Sequence, residues 1–198
     1  MAKLYFRYGA MNSGKSTAVL QVAHNYEERG MKVFIIKPAI DTKGNDQIIS
    51  RLGTKRQVDI LAGPKVNLLK TILKNHKKDS AIGCVLVDEG QFLTHAQVEQ
   101  LLELAVLHDI PVICYGLRTD FKTQLFPGST RLVALAHSLE ELKTICRCGK
   151  KAIFNARQLN GRFVFKGGQV AIDGRSNVGY ESLCANCYFK FKRAKQSE

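Results

Sequence analysis

The chain has 198 residues, 45% of them hydrophobic, and its 30 Lys and Arg against 17 Asp and Glu give a net charge of +13. This composition is that of a globular protein and excludes a disordered or collagen-like chain, while the length allows one domain with a small appendage. No apolar run reaches the roughly 18 residues of a membrane-spanning helix, and the first residues lack the apolar core of a signal peptide. The sequence therefore predicts a cytoplasmic protein.

Up to residue 142, short apolar segments alternate with longer amphipathic segments. In chain order they predict a strand at Leu4–Tyr8, a helix at Thr17–Arg29, a strand at Lys32–Lys37, a helix around Leu68–Leu73, a strand at Cys84–Val87, a helix that starts at Thr94 with a capping box, and strands at Ile110–Tyr115 and Arg131–Leu135. Continuously apolar strands that alternate with helices are typical of a parallel sheet with helices on both faces. The predicted fold class is α/β.

Residues 143–198, called the C-terminal segment below, break this alternation. They hold twelve basic and three acidic residues, which is most of the net charge. This charge is compatible with bound nucleic acid, with a bound nucleotide or with a solvated surface. A segment this short needs a cross-link such as a bound metal ion to stabilise a core of its own. We therefore predict two domains, 1–142 and 143–198.

A glycine-rich motif follows the first predicted strand and precedes the first predicted helix. Its sequence, GAMNSGKS, is the full pattern G-x-x-x-x-G-K-[ST] of a P-loop. In such a loop, backbone N–H groups and the helix N-terminus face phosphate oxygens, the lysine reaches the β- and γ-phosphates, and the serine hydroxyl binds Mg²⁺. The predicted ATP and Mg²⁺ site comprises Gly9, Ala10, Met11, Asn12, Ser13, Gly14, Lys15 and Ser16.

Two carboxylates, Asp88 and Glu89, come directly after the predicted strand Cys84–Val87. An Asp at the end of such a strand holds Mg²⁺ in P-loop proteins. Glu89 can orient a water, as in an ATPase, or take a proton from an acceptor hydroxyl, as in a kinase. The two motifs together predict a phosphoryl-transfer protein and leave its acceptor open.

The six cysteines are of two kinds. Cys84 and Cys114 lie singly in apolar segments and are predicted to be small buried hydrophobes. The other four form a C-x-C pair and a C-x-x-C pair, which in a chain without a secretory signal favours metal over disulfides. Four thiolates leave no open position for water, so the predicted zinc ion is structural, and four free thiols are the alternative. The predicted ligands are Cys146, Cys148, Cys184 and Cys187.

Taken in order, these motifs resemble one family. The P-loop with Met11 and Asn12 inside it, the segment DEGQF at Asp88–Phe92, the segment YGLRTDF at Tyr115–Phe121 and the cysteine quartet are similar to the type II thymidine kinases. These are the zinc-containing kinases of cellular type. The similarity covers nearly the whole chain.

The resemblance implies a reaction and a set of cofactors. It implies transfer of the γ-phosphoryl group of ATP, with Mg²⁺, to the 5′-hydroxyl of thymidine, giving dTMP and ADP. It also implies a RecA-like parallel sheet, a zinc-bound lobe with a lasso loop over the nucleoside, a homotetramer and inhibition by dTTP. By position, Glu89 matches the catalytic base and Asp88 matches the Mg²⁺-linked acid. Asp88 and Gln91 are therefore added to the predicted ATP and Mg²⁺ site.

The resemblance also assigns residues to the thymidine site. A flat ring with apolar faces and polar edges suits aromatic and methionine side chains on its faces and loop backbone on its edges. From the sequence, Phe92 and Phe121 are equally compatible with a place in the core. The residues that match family positions around the base, the sugar and the acceptor hydroxyl are Met11, Asp41, Arg51, Phe92, Leu117, Phe121, Phe126, Asp173, Gly174 and Tyr180.

Two places depart from the family pattern. Lys43 stands where the family commonly has Arg, which keeps the charge but loses the rigid fork of donors. In the predicted lasso, residues 172–180, Asp173 replaces a glycine and the segment is longer than in the family. We expect these changes to alter substrate preference or to loosen the pocket.

Two other functions remain open at this point. A nucleic-acid-stimulated ATPase would bind a strand with its basic zinc lobe and activate water with Glu89. A kinase-like protein with an altered lasso would only bind dTTP. The sequence favours the kinase, because no extended basic tract or aromatic platform outside the C-terminal segment offers a channel for a strand. No membrane partner is expected.

Overall fold

The computed structural model describes residues 1–41, 44–79, 81–169 and 177–195. The strands formed by these residues are β1 (Leu4–Tyr8), β2 (Lys32–Pro38), β3 (Gln47–Ile49), β4 (Lys55–Gln57), β5 (Ile60–Ala62), β6 (Ile82–Val87), β7 (Val112–Gly116), β8 (Ser138–Glu141), β9 (Thr144–Ile145), β10 (Lys151–Ala152), β11 (Phe154–Leu159), β12 (Arg162–Val164) and β13 (Val178–Leu183). The helices are α1 (Lys15–Glu27), α2 (Leu68–Asp79), α3 (His95–Leu107), α4 (Pro127–Leu135) and α5 (Ala185–Ala194), with a 3₁₀ turn at Gly90–Phe92.

Six of the strands form one parallel sheet in the order β5-β2-β6-β7-β1-β8. Side chains of a strand alternate between the two faces of its sheet, and each face here has a core of its own. In β2, for example, Phe34 and Ile36 belong to one core, whereas Val33 and Ile35 belong to the other. Burial on both faces explains why the inner strands β6 and β7 carry no charged side chain.

Helices cover both faces of this sheet. Buried residues of α2, α3 and α4 join one core, and Val19, Leu20 and Ala23 of α1 join the other. The predicted capping box is present, since Thr94 and Gln97 exchange side-chain and backbone hydrogen bonds at the start of α3. The predicted α/β class is confirmed. Among the described residues, no helix is long and apolar enough to cross a membrane.

One predicted strand is wrong. Residues Arg131–Leu135 form the last turns of α4, and the final strand of the sheet is β8. Pro127 occupies the first turn of α4, where its missing N–H costs nothing, and Leu132 points into the core. A short apolar run fits a helix and a strand equally well, so the proline upstream was the deciding signal.

The C-terminal segment has a different architecture. β12, β11 and β13 form an antiparallel sheet, β9 and β10 pair beside it, and α5 packs on it. Its small core contains Ala156, Leu183 and Tyr188 together with two of the paired cysteines. The division into domains at residues 142 and 143 stays a prediction.

Candidate active site

The P-loop connects the carboxyl end of β1 to the start of α1. Gly14 has a φ of +78°, in the left-handed region that favours glycine. At Gly9 a Cβ atom would lie 2.5 Å from the backbone oxygen of Leu142, so only glycine fits there. The Lys15 ammonium group is buried and donates to the carbonyl of Ala10 at 2.9 Å. The loop is therefore wound around the cation that the sequence assigns to the phosphates.

Asp88 lies at the end of β6, beside the first turn of α1. Its Oδ2 accepts from the hydroxyl of Ser16 at 3.0 Å, and its Oδ1 accepts from the backbone N–H of Glu89 at 3.1 Å. Burial, together with the nearby Glu89 carboxylate, raises the pKa of Asp88 to about 7, although its hydrogen bond from Ser16 acts in the opposite direction. A hydroxyl and a carboxylate side by side are oxygen ligands that suit Mg²⁺.

Glu89 occupies a strained turn between β6 and the 3₁₀ turn. Its φ of +53° is uncommon for a residue with a side chain and is of the kind that clusters at functional sites. The fully buried Gln91 donates from Nε2 to the Glu89 carboxylate at 2.5 Å and accepts from the Leu117 N–H at 3.0 Å. A Cβ at Gly116 would lie 2.7 Å from the Gln91 Oε1. The amide of Gln91 thus fixes the position of the Glu89 carboxylate relative to the backbone of Leu117.

A cavity of about 580 Å³ opens over the P-loop. This volume lies within the range of sites for small molecules, about 300–1,000 Å³. It combines most of the P-loop with Glu89, Leu117 and Arg51, so these predicted residues come together. The lining residues are Met11, Asn12, Gly14, Lys15, Ser16, Thr17, Ala18, Gln21, Ile49, Arg51, Leu52, Glu89 and Leu117.

The predicted aromatic residues form two pairs. The rings of Phe92 and Phe126 meet edge to face with centroids 5.5 Å apart. Phe121 and Tyr180 are joined through Arg157, whose guanidinium lies 3.8 Å from the Phe121 ring centre and donates to the Tyr180 hydroxyl at 2.9 Å. None of these four rings lines the cavity over the P-loop in the part of the chain that the structure describes.

Asp41 lies beyond the end of β2 and forms an ion pair with Lys37 at 3.1 Å. The Lys37 side chain is only 2% exposed and also donates to the carbonyl of Asn45 at 3.0 Å. Asp41 does not line the cavity over the P-loop in this structure. Lys43, Asp173 and Gly174 lie outside the described residues, as does most of the predicted lasso.

The P-loop is hydrogen-bonded to the C-terminal segment. The backbone N–H of Met11 donates to Asn155, its carbonyl accepts from the hydroxyl of Ser182, and the carbonyl of Asn12 accepts from Thr144. Both strands of the β11–β13 pair therefore contact the loop that the sequence assigns to ATP.

The four paired cysteines converge at one end of the C-terminal segment. Their sulfur atoms all lie within 4.8 Å of one another, and those of Cys148 and Cys184 are 3.6 Å apart. Tetrahedral zinc with Zn–S bonds of about 2.3 Å requires sulfurs about 3.8 Å apart, whereas a disulfide requires about 2 Å. The cluster therefore fits a zinc ion.

The pKa values of two thiols in the cluster are shifted in opposite directions. Burial raises the pKa of the Cys146 thiol, but backbone hydrogen bonds from Cys148 and Cys184 oppose it and bring the pKa down to about 7. A hydrogen bond with Cys148, together with burial, raises the pKa of Cys187 to about 12. Four adjacent thiols cannot all ionise without a positive charge between them, and a divalent ion supplies that charge. The other two cysteines, Cys84 and Cys114, are fully buried as predicted.

Several residues of the site were not identified from the sequence. Asn155 and Arg157 are polar side chains in β11, a strand of mixed composition, and Lys37 is the next-to-last residue of the mostly apolar strand β2. Asn155 interrupts the otherwise apolar run Ala152–Ala156, and this interruption could have marked it as a candidate for a buried hydrogen bond. Arg157 gave none, because its partners are distant in sequence.

Comparisons with known proteins show the family to which the chain belongs. The family model described as thymidine kinase matches residues 2–188. A thymidine kinase of Legionella pneumophila (strain Paris) is 48% identical over 197 residues, which are 98% of this chain and 91% of the relative. A thymidine kinase of Mannheimia succiniciproducens is 48% identical, and the matched residues are 98% of each chain. A thymidine kinase of Rhodopirellula baltica is 47% identical over 93% of this chain and 86% of the relative. The chain belongs to the thymidine kinase family of ATP-dependent nucleoside kinases.

Proposed function

We propose that the protein transfers the γ-phosphoryl group of ATP to the 5′-hydroxyl of thymidine and releases dTMP and ADP. The observation that carries this proposal is the place of the Glu89 carboxylate, which lines the same cavity as Lys15 and Ser16 and is held by Gln91. Because the P-loop lysine reaches the β- and γ-phosphates, a base in this cavity would lie near an acceptor of the γ-phosphoryl group.

The P-loop residues bind and orient ATP in this proposal. Lys15 and the N–H groups at the start of α1 neutralise the phosphates, which is most of what phosphoryl transfer requires. Ser16 and Asp88 would hold Mg²⁺, which when bound neutralises charge on the β- and γ-phosphates. Glu89 accepts the proton of the 5′-hydroxyl while the bond from that oxygen to the γ-phosphorus forms and the bond to the β,γ-bridging oxygen breaks. ADP then leaves.

The thymidine residues complete the proposal. Met11, Leu117 and Arg51 line the same cavity as Glu89 and would contact the nucleoside. Phe92, Phe121, Phe126 and Tyr180 would surround the base, and Asp41 would lie near the acceptor. Asp173 and Gly174 of the predicted lasso would contact the sugar and base. Gln91, predicted as part of the ATP and Mg²⁺ site, would also hold the base in place, since it donates to the Glu89 carboxylate and accepts from the Leu117 N–H.

Further properties rest on the family resemblance. We propose a structural zinc ion on Cys146, Cys148, Cys184 and Cys187, inhibition by dTTP, a homotetramer and a cytoplasmic location. The separation of the sulfur atoms supports the zinc proposal. The intact P-loop and Asp-Glu pair support a binding site that dTTP would share.

The experiment that tests the proposed function measures ADP release from ATP by the zinc-loaded protein under three conditions. These are no addition, added thymidine and added single-stranded DNA. We expect ADP release to depend on thymidine and to match dTMP formation mole for mole. Release stimulated by DNA and not by thymidine would overturn the proposal in favour of a nucleic-acid-stimulated ATPase.

A further inference from the structure

Arg157 is a buried arginine whose guanidinium makes three hydrogen bonds. The side chain belongs to β11, directly opposite Tyr180 of β13, and the residue is 7% exposed. Its Nε donates to the Tyr180 hydroxyl at 2.9 Å, its Nη1 to the carbonyl of Gly168 at 2.9 Å, and its Nη2 to the carbonyl of Gln169 at 3.0 Å. Each of its nitrogens therefore has a defined partner.

These partners lie before the predicted lasso and at its last residue. Gly168 and Gln169 come a few residues before residue 172, where the predicted lasso begins, and Tyr180 is its last residue, so one guanidinium joins the chain before this segment to the end of the segment. Gly167 is additionally held by Lys122, whose ammonium donates to its carbonyl at 3.0 Å.

The same guanidinium stacks on Phe121. Its central carbon lies 3.8 Å from the centre of the Phe121 ring and 5.4 Å from that of Tyr180. A planar cation at this distance gains both cation–π attraction and apolar contact. Arg157 thus connects three pieces of chain that are far apart in sequence and that include two residues proposed to contact thymine.

We propose that Arg157 is a positioning residue for thymidine, which fixes Phe121, Tyr180 and the base of the predicted lasso relative to one another. This inference rests on the proposed function. Arginine is required because its rigid fork of donors reaches three acceptors while its flat face stacks on a ring. Lysine carries the same charge on a point-like ammonium group, which can neither stack in this way nor reach all three acceptors.

The position of Arg157 also predicts which substrate depends on it. Its described contacts are with Phe121, Gly168, Gln169 and Tyr180, and none is with the P-loop residues. Loss of the guanidinium should therefore weaken thymidine binding and leave ATP binding intact.

The test compares Arg157→Lys and Arg157→Gln with Arg162→Gln. Arg162 is an exposed arginine of the neighbouring strand β12 and serves as the matched control. Each protein is assayed for zinc content, for the KM of thymidine and of ATP, and for thymidine affinity by equilibrium dialysis without ATP.

We expect the KM and the Kd of thymidine to rise about tenfold to a hundredfold in both Arg157 variants, as the loss of charge-assisted hydrogen bonds predicts. The KM of ATP should change less than about twofold, which on the same scale is about 0.4 kcal/mol. Arg162→Gln should match the unmodified protein. Thymidine affinity unchanged in both Arg157 variants would overturn the inference, as would an equal rise in both KM values with loss of zinc, which would indicate a general structural role. An unmodified protein without thymidine phosphorylation would instead refute the proposed function.

Discussion

The backbone N–H of Met11 donates to the side-chain oxygen of Asn155 at 2.7 Å, although the two residues are 144 positions apart. Met11 lies inside the P-loop, and Asn155 belongs to β11 of the C-terminal segment. The amide nitrogen of Asn155 donates in turn to the carbonyl of Thr119 at 2.9 Å. One buried side chain therefore joins the loop proposed for ATP to the loop that carries Phe121.

Replacement of this amide should destabilise the protein. In Asn155→Leu the partly buried backbone N–H of Met11 and the buried carbonyl of Thr119 both lose their partner. An unsatisfied buried group costs about 1–3 kcal/mol, so we expect the free energy of unfolding to fall by about 2 kcal/mol or more. Urea unfolding measures it. The exposed Asn25→Leu is the matched control and should stay within about 0.5 kcal/mol; equal stability of the two variants would contradict the role of Asn155.

Glu89→Gln should remove the proposed base and preserve the shape of the site. The new amide keeps an oxygen that accepts from Gln91. We expect kcat to fall about 10²–10⁴-fold, the usual contribution of a general base, with ATP affinity unchanged. The measurement is dTMP formation alongside ATP binding by calorimetry. Glu103→Gln, on the exposed side of α3, serves as the control, and a kcat for Glu89→Gln within tenfold of the unmodified protein would rule out Glu89 as the base.

Asp88 should make stability depend on pH in the protein without Mg²⁺. Its pKa is raised to about 7 by burial and by Glu89, from an ordinary value of 3.8, so the folded protein binds this proton more tightly than the unfolded chain does. Between about pH 4 and pH 7 the free energy of unfolding should therefore fall as the pH rises, relative to Asp88→Asn, which cannot ionise.

Urea unfolding of both proteins across this pH range measures the difference. The stability of the unmodified protein should decline relative to Asp88→Asn up to about pH 7 and then run parallel to it. Because Mg²⁺ needs the carboxylate, Mg²⁺ affinity should fall as the pH drops below 7. Parallel stability curves over the whole range would show that the pKa of Asp88 is not raised.

Zinc removal should affect thymidine binding more than ATP binding. Metal binding to four thiolates stabilises the fold of a small segment, so chelation should unfold much of the C-terminal segment. Tyr180 and Arg157 lie in it, whereas Lys15 and Ser16 do not. The C-terminal segment also contacts Met11 and Asn12 of the P-loop, so ATP affinity should fall as well, but less than thymidine affinity.

Equilibrium dialysis of thymidine and of ATP, before and after chelation and again after Zn²⁺ is restored, measures both affinities. We expect thymidine affinity to fall at least about tenfold and to recover with zinc, as for loss of about 1.4 kcal/mol of binding free energy. Thymidine affinity that survives complete loss of metal would contradict the proposed role of the cysteine cluster.

The central sheet and its helices could be predicted from the sequence because their pattern is strong. β1 was predicted with its observed bounds, and β6, β7 and α3 were predicted within a few residues, since each combines an apolar run with clear turn or cap residues. β5 and β8 were missed. β5, with the sequence ILA, is apolar but has only three residues, which is too short to be recognised as a strand, and β8, with the sequence SLEE, is a polar strand at the sheet edge.

The candidate site could be predicted as far as local motifs reach. The P-loop, Glu89 and the cysteine quartet are contiguous or closely spaced patterns with one chemical meaning. The links of Asn155 to Met11 and of Arg157 to Phe121 join residues 144 and 36 positions apart, and nothing in local periodicity specifies such pairs. These contacts depend on how the C-terminal segment packs on residues 1–142.

The most direct test of the central claim is ATP-dependent phosphorylation of a panel of nucleosides by the zinc-loaded protein. The panel contains thymidine, deoxyuridine, deoxycytidine and the purine deoxynucleosides. The proposed function predicts strong formation of dTMP and little product from deoxycytidine or the purines. A protein that binds ATP and zinc but phosphorylates none of these nucleosides would contradict it.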